Sequence, residues 1–361
     1  MCLKIGLVIY GDLETLTGGY LYDRMLVEFL RSQGDVVEIF SLPWRNYARH
    51  LLDNISDGLI RSLSEARLDV LLEDELNHPS LFRINRRLKS KVRYPIVSIV
   101  HHLRCSELRP VWQNRFYRYV ESDYLARVDG FVFNSVTTRT TVEALVGDSK
   151  PAVVAFPGSD GARPGVTREM IQRRALETGP LKILFVGSLI PRKELHTLLN
   201  ALATLPQDGW RLTVVGSPHT DPVYAARVRA EIKRLRVGEQ VQLMGSLTGQ
   251  ELADRYADSH LVAVPSSYEG FGIVYIEGMG FGLPALASNA GAAHEIITHG
   301  RDGFLVRPGD ADSIAGHVEE LIRNREKLVR MGLAALDRYA AHPTWNEAAA
   351  TIRSFLEKVV N

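Results

Sequence analysis

Glu269 and Glu277 stand eight positions apart, with Gly270, Phe271 and Gly272 just after the first of them. A strand-like run at 261–264 leads into this segment, and a helix-like run at about 271–281 leads out. Two carboxylates so placed can each accept hydrogen bonds from neighbouring hydroxyls, as on a hexose or a ribose. The glycines let backbone approach a ligand closely. A helix start offers free N–H groups to phosphate. Two glutamates alone would more often be a helix cap and a surface residue. With both glycines, the aromatic and the strand–loop–helix setting, the chemistry that fits is a sugar nucleotide.

Other segments repeat this setting. Gly18 and Gly19 follow the first strand-like run and begin a helical one, which suits close backbone approach to an anion. The run 185–194 reads Phe-Val-Gly-Ser-Leu-Ile-Pro-Arg-Lys-Glu and again joins a strand to a helix. In it Arg192 offers a guanidinium fork and Lys193 a point charge to a diphosphate. His101 and His102 end the strand-like run 95–100, where an imidazole could orient or deprotonate an acceptor hydroxyl. Glu73, Asp74 and Glu75 end the run 68–72 and read equally as an acceptor site or a solvated acidic loop. Asp310 and Asp312 precede a helical run at 313–322 and fit a helix cap and first turn rather than a metal pair. No other group has metal-ligand spacing along the chain.

The elements that must position these residues alternate. Short continuous apolar runs at 3–10, 35–40, 68–72, 95–100, 130–133 and 152–156 predict strands buried on both faces. Amphipathic stretches lie between them, so a parallel sheet with helices on both sides is expected. A Gly- and Pro-rich stretch at 157–166 reads as a linker. A second series follows, near 181–186, 211–216, 240–243, 260–264, 284–287 and 304–306. Neither series carries Gly-x-Gly-x-x-Gly after its first strand, which disfavours a nicotinamide-binding domain. Ligands of such sheets bind beyond the carboxyl ends of strands, and the residues singled out above follow strands.

The chain has 361 residues, enough for two domains, and 45% are hydrophobic. A net charge of +1 gives no global field for nucleic acid. Two cysteines, Cys2 and Cys105, form no disulfide framework and suggest a reducing compartment. The N-terminal run reads as a first strand rather than a signal peptide. No apolar run reaches the roughly 18–20 residues of a membrane span. Two clusters on the first half combine charge or aromatics: Arg83, Arg86, Arg87, Lys89, Lys91 and Arg93, and then Trp112, Arg115, Phe116, Tyr117, Arg118 and Tyr119. Basic amphipathic helices with aromatics can lie on anionic membranes.

The 269–277 segment resembles the E-x7-E signature of retaining glycosyltransferases of family four, and the likeness runs from Gly18–Gly19 to the C-terminal helix. The resemblance implies an α/β chain of the GT-B fold: two doubly wound Rossmann-like domains with a cleft between them. Residues 1–160 would be the acceptor domain and 161–340 the nucleotide-sugar domain. Residues 341–361 would form a helix crossing back to the N-terminal domain. By the same resemblance Glu269 contacts the donor sugar and Glu277 the ribose. The backbone of Gly270, Phe271, Gly272 and Ile273 lines sugar and phosphate, and Gly18 and Gly19 face the diphosphate. Lys193 falls on a family lysine and His101 on a family histidine, with His102 in reserve. The chain departs from the pattern at Ser188, where the family often has an arginine, and at Glu194, where a glycine is usual. Arg192 is the expected stand-in for the missing arginine.

The activity so implied is metal-independent transfer of a sugar from a nucleoside diphosphate sugar to an acceptor hydroxyl, with the donor as substrate and no cofactor. The acceptor is expected to be soluble or a lipid. A lipid acceptor would add a peripheral contact at the inner face of the membrane through the Arg83–Arg93 region of a cytoplasmic protein. The alternatives are an epimerase or phosphorylase of the same fold, or a non-catalytic partner subunit.

Overall fold

The computed structural model describes residues 2–159 and 165–361. Residues 160–164, half of the 157–166 stretch expected to be a linker, and with them the expected boundary at 160/161, lie outside the described residues. The chain divides into two compact units: one runs to Gly158 and takes in Pro343–Asn361, and the other is Ser159–His342.

The first unit holds a six-stranded sheet of β1 (Lys4–Tyr10), β2 (Val36–Leu42), β3 (Val70–Asp74), β4 (Ile96–Val100), β5 (Gly130–Phe133) and β6 (Ala152–Val154). Its order is β2-β1-β3-β4-β5-β6, with every pairing parallel. The second holds β7 (Leu181–Val186), β8 (Trp210–Val215), β9 (Val241–Gly245), β10 (Leu261–Val264), β11 (Ala285–Ser288) and β12 (Gly303–Val306). There the order is β12-β11-β10-β7-β8-β9, again all parallel. Parallel neighbours require crossover connections, and the helical stretches between strands supply them.

Central strands carry the core. Every residue of β3, β4, β5, β10 and β11 is buried. Burying a Val, Leu or Ile side chain contributes roughly 1.5–3 kcal/mol, so these short runs dominate each unit's stability. The expectation that the first series of strands is buried on both faces fails at the edge strand β2, and β9 is a like edge of the second sheet. In β2, Val36, Glu38 and Ser41 are exposed, and in β9 so are Gln242 and Leu243. Those strands have only one neighbour each, so one side of each meets no further strand.

Trp345–Val360 is a helix of the first unit, begun by a capping box between Thr344 and Glu347. It lies on the Gly18–Ser32 helix. Arg353 Nε donates to Asp35 Oδ2 at 2.8 Å, an ion pair that holds the middle of the helix. Gly158 is required at the near end, because a Cβ there would stand 2.1 Å from the Trp345 nitrogen.

Candidate active site

Each sheet reverses its strand order once. In the second unit the reversal falls between β7 and β10, so the loops after these two strands diverge and leave an opening at their carboxyl ends. The loop after β7 carries Ser188, Arg192 and Lys193. The loop after β10 carries Glu269 to Gly272.

The two loops meet through charge. Lys193 Nζ donates to Glu269 Oε2 at 2.6 Å, and Ser266 Oγ donates to the same oxygen at 3.0 Å. Arg192 Nη1 lies 3.9 Å from Glu269 Oε1 and donates to the Tyr268 carbonyl at 2.8 Å. Burial works to raise the Glu269 pKa, but Lys193 and Arg192 outweigh it and hold the carboxyl down at about 2. A third loop pins Glu269 from behind. Its carbonyl accepts from Ala292 N at 2.8 Å, and a Cβ on Gly291 would stand 2.0 Å from that carbonyl oxygen.

Both departures from the expected pattern have a local setting. Glu194 has φ +54, a left-handed conformation that glycine adopts at least cost. Its carboxylate accepts from the hydroxyl of Thr197, in the first turn of the Leu195–Leu202 helix it precedes. Ser188 is half-buried, and its carbonyl accepts from Ile190 N at 2.9 Å.

Gly272 has φ +102, and a Cβ there would meet the Tyr275 ring at 2.4 Å, so the helix Ile273–Gly280 can begin only after a glycine. Phe271 and Gly270 are buried, and the Phe271 ring lies 5.8 Å from that of His342. Glu277 sits in the same helix and is half-buried. Tyr256, itself fully buried and stacked on Phe281, donates to Glu277 Oε2 at 2.8 Å. Burial raises the Glu277 pKa to about 7 against the opposing effect of that hydrogen bond.

The first unit reverses its order between β1 and β3. Gly18 and Gly19 begin the helix after β1, with Thr17 as its cap. A Cβ on Gly19 would stand 3.2 Å from His101 Cδ2, so this glycine lets the histidine close in. His101 follows β4, and its Nε2 lies 3.4 Å from Asp23 Oδ1. His102 turns elsewhere, with Nε2 3.1 Å from Glu107 Oε1. The structure therefore brings Gly19 and His101 together and not His102.

Glu73, Asp74 and Glu75 are not a solvated loop: all three are buried. Asn85 donates to Glu73 Oε2 at 2.8 Å and Leu76 N to Asp74 Oδ1 at 2.9 Å, while Glu75 Oε1 lies 2.9 Å from His78 Nδ1. Burial raises all three carboxyls to about 7. Folding also brings donor atoms of Asp23, Asp74 and His101 within 4.8 Å of one another, and likewise those of Glu75, His78 and Glu121. Sequence spacing hides both groups, because each is assembled from separate elements. Asp310, by contrast, is a helix cap, accepting from Ser313 N at 3.0 Å. Asp23, Tyr256, Ser266 and Gly291 had no signal in the sequence beyond their type.

In the Arg83–Arg93 region, Arg87 pairs with Asp57, and Lys89 pairs with Asp129 at 2.5 Å. The exposed aromatics lie on another helix, Val111–Leu125, where Trp112 is 71% and Tyr119 67% exposed. Among the described residues no helix is long and apolar enough to cross a membrane.

Residues 166–338 match the family described as Glycosyl transferases group 1. The chain is 29% identical over 241 residues to a GDP-mannose-dependent alpha-(1-6)-phosphatidylinositol monomannoside mannosyltransferase of Mycobacterium tuberculosis, covering 63% of this chain and 61% of the relative. It is 30% identical over 250 residues to a D-inositol 3-phosphate glycosyltransferase of Rhodococcus erythropolis, covering 67% of this chain and 56% of that relative. The match thus spans less than two thirds of either relative's length. Among solved structures, sucrose-phosphate synthase from Thermosynechococcus elongatus superposes with a TM-score of 0.83 at 19% identity, covering 99% of this chain and 98% of that one. Anabaena HepE in complex with UDP-glucose does so with 0.78 at 18% identity, covering 99% and 100%. The similarity to glycosyl transferases group 1 covers residues 166–338, and the chain as a whole has the GT-B fold of two Rossmann-like domains.

Proposed function

We propose that this chain is a retaining, metal-independent glycosyltransferase that moves a sugar from a nucleoside diphosphate sugar to an acceptor hydroxyl. The observation that carries the reading is the Lys193–Glu269 pair at the strand-order reversal, with Arg192 beside it. Lys193 and Arg192 stabilise the departing diphosphate, together with amides at the start of the Ile273–Gly280 helix. Glu269, held ionised, accepts hydrogen bonds from the donor sugar. Glu277 does the same for the ribose. His101 and the Gly18–Gly19 helix start are the first unit's candidate ligand contacts. The main catalytic contribution is electrostatic, because charge develops on the leaving diphosphate and fixed cations meet it there.

The similarity to a GDP-mannose-dependent enzyme makes GDP-mannose the first donor to try. The same relative's phosphatidylinositol mannoside acceptor and the other's inositol phosphate mark a lipid and a soluble candidate. A lipid acceptor places the protein at the inner face of the membrane. The test is a thermal-shift screen of nucleoside diphosphates and their sugars, followed by donor turnover with and without acceptor. A ligand at 100 times its dissociation constant stabilises by about 2.7 kcal/mol, which such a screen resolves. No stabilisation by any nucleotide, and no release of nucleoside diphosphate, would sink the proposal.

A further inference from the structure

His101 is held by contacts on several sides within the first unit. Its carbonyl accepts from Asn134 Nδ2 at 2.8 Å and from Thr138 Oγ1 at 3.4 Å. The ring closes over Gly19 and stands edge-on to Tyr22, centroids 5.2 Å apart. Nε2 is the nitrogen turned into the protein, 3.4 Å from Asp23 Oδ1. Asp23 is fully buried, and neither of its oxygens accepts a conventional hydrogen bond among the described residues. A buried carboxylate without a partner is costly, and the one cationic side chain within ion-pair distance among the described residues is His101. Asp74 brings a second carboxylate within 4.8 Å of the same group.

We infer that Asp23 is a positioning residue for His101: it fixes the ring with Nε2–H directed inward, leaves Nδ1 to a ligand, and with Asp74 keeps the ring an imidazolium. His101 then works as a charged hydrogen-bond donor to a sugar, phosphate or acceptor oxygen, and not as the base that removes an acceptor proton. This deepens the glycosyltransferase reading and rests on it for the kinetic part of the test only.

The electrostatics agree with the geometry. The charged groups facing the ring are Asp23 from the Gly18–Ser32 helix, and Asp74 and Glu75 from the end of β3 and the turn after it. The segment after β5 and the Val136–Val146 helix contribute the neutral Asn134 and Thr138, which bond to the His101 carbonyl and not to the ring. Burial pulls the imidazole pKa down, but the three carboxylates outweigh it and raise it to about 9. An imidazolium is lost as pH rises through that value, so His101-dependent activity has an alkaline limb there.

The experiment has two arms. One is the pH profile of kcat and kcat/KM for donor turnover in wild type and Asp23→Asn. The alkaline limb should move toward acid by about 1 pH unit or more, the size expected for loss of an opposite charge at this range. An unmoved limb would overturn the inference. The other arm is an NMR titration of the His101 imidazole, assigned with His101→Gln, and it needs no activity. In wild type the ring should titrate near 9, and in Asp23→Asn about 1 unit or more lower. A wild-type value near the ordinary 6.5 or so would also overturn the inference, even if Asp23→Asn does not fold. A shifted titration in a protein without transferase activity would leave the inference standing and remove the functional reading instead.

Discussion

Lys193 Nζ and Glu269 Oε2 lie 2.6 Å apart, joining the loop after β7 to the loop after β10 as one charged unit. The two residues cannot then be judged separately. Removing Glu269 leaves the mostly buried Lys193 charge uncompensated, and removing Lys193 leaves Glu269 only the more distant Arg192, a loss of up to about 3–5 kcal/mol in such settings. Lys193→Ala and Glu269→Ala should each destabilise the protein, and the double variant should cost clearly less than their sum. Denaturant unfolding of the four proteins measures this, and additive losses would show that the pair is not coupled. The pH sign follows from the depressed carboxyl. Its stabilising share is present above the ordinary carboxylate range and is lost as pH falls toward about 2. In transfer assays Lys193→Ala should be worse than Arg192→Ala, because Arg192 stands 3.9 Å from the carboxylate and also donates to the Tyr268 carbonyl. The reverse ranking would move the phosphate clamp one residue along the chain.

Tyr256 and Glu277 make a second testable pair. The Glu277 carboxyl is raised to about 7, so it is ionised above that pH and protonated below it. An ionised carboxylate is the better acceptor for ribose hydroxyls. Nucleoside diphosphate affinity should therefore rise between pH 6 and pH 8. Tyr256→Phe removes a hydrogen bond that favours the ionised form, so the midpoint should move higher and affinity at pH 7 should fall. Calorimetric titration of wild type, Tyr256→Phe and Glu277→Ala distinguishes these. Wild-type affinity that is the same at pH 6 and pH 8 would remove Glu277 from the ribose contact.

How much of this was legible in the sequence depends on the range of the signal. Strands such as Ile96–Val100 and Leu261–Val264 announce themselves as short apolar runs because both their faces are covered. Lys193, Glu269 and Gly272 stand in strand–loop–helix segments that residue type and spacing reveal. What stayed hidden is what folding assembles. Asp23 is one acid on an ordinary amphipathic helix, and nothing local says that it will face His101 across 78 positions of chain. The acids at 73–75 look hydrophilic, yet the strand they finish is central and draws them inside. Charge alone could not distinguish a solvated acidic loop from a buried cluster with raised pKa values.

Transfer should survive complete chelation of divalent metals. Asp310 is committed to capping a helix. The two donor groups that folding assembles, Asp23 with Asp74 and His101 and Glu75 with His78 and Glu121, contain carboxyls that burial raises to about 7 at Asp74 and Glu75. Metal binding must displace protons from such groups, which weakens it near neutral pH. Activity lost with chelator and restored by magnesium or manganese would overturn the expectation.

A lipid acceptor would require a surface that meets the membrane, and the candidate in the first unit is the Val111–Leu125 helix. Trp112, Phe116 and Tyr119 follow at spacings of four and three, so they share one helical face, and they are 71%, 44% and 67% exposed. Arg115 and Arg118 are exposed on the same helix. Leu108 and Val111, 75% and 76% exposed, extend the apolar area at its start. Apolar area left open in this way marks an interaction surface more often than chance. The Arg83–Arg93 region is weaker for this purpose, since Arg87 and Lys89 spend their charge on Asp57 and Asp129. Co-sedimentation with anionic vesicles should therefore depend on the aromatics first. Trp112→Ser with Phe116→Ser should abolish it, while neutralising Arg83 and Lys91 should only weaken it, each basic residue contributing about 1 kcal/mol at most. Binding should fall with salt, because part of it is screened charge. Retention in the supernatant at low salt would remove the membrane contact and leave a soluble acceptor as the reading.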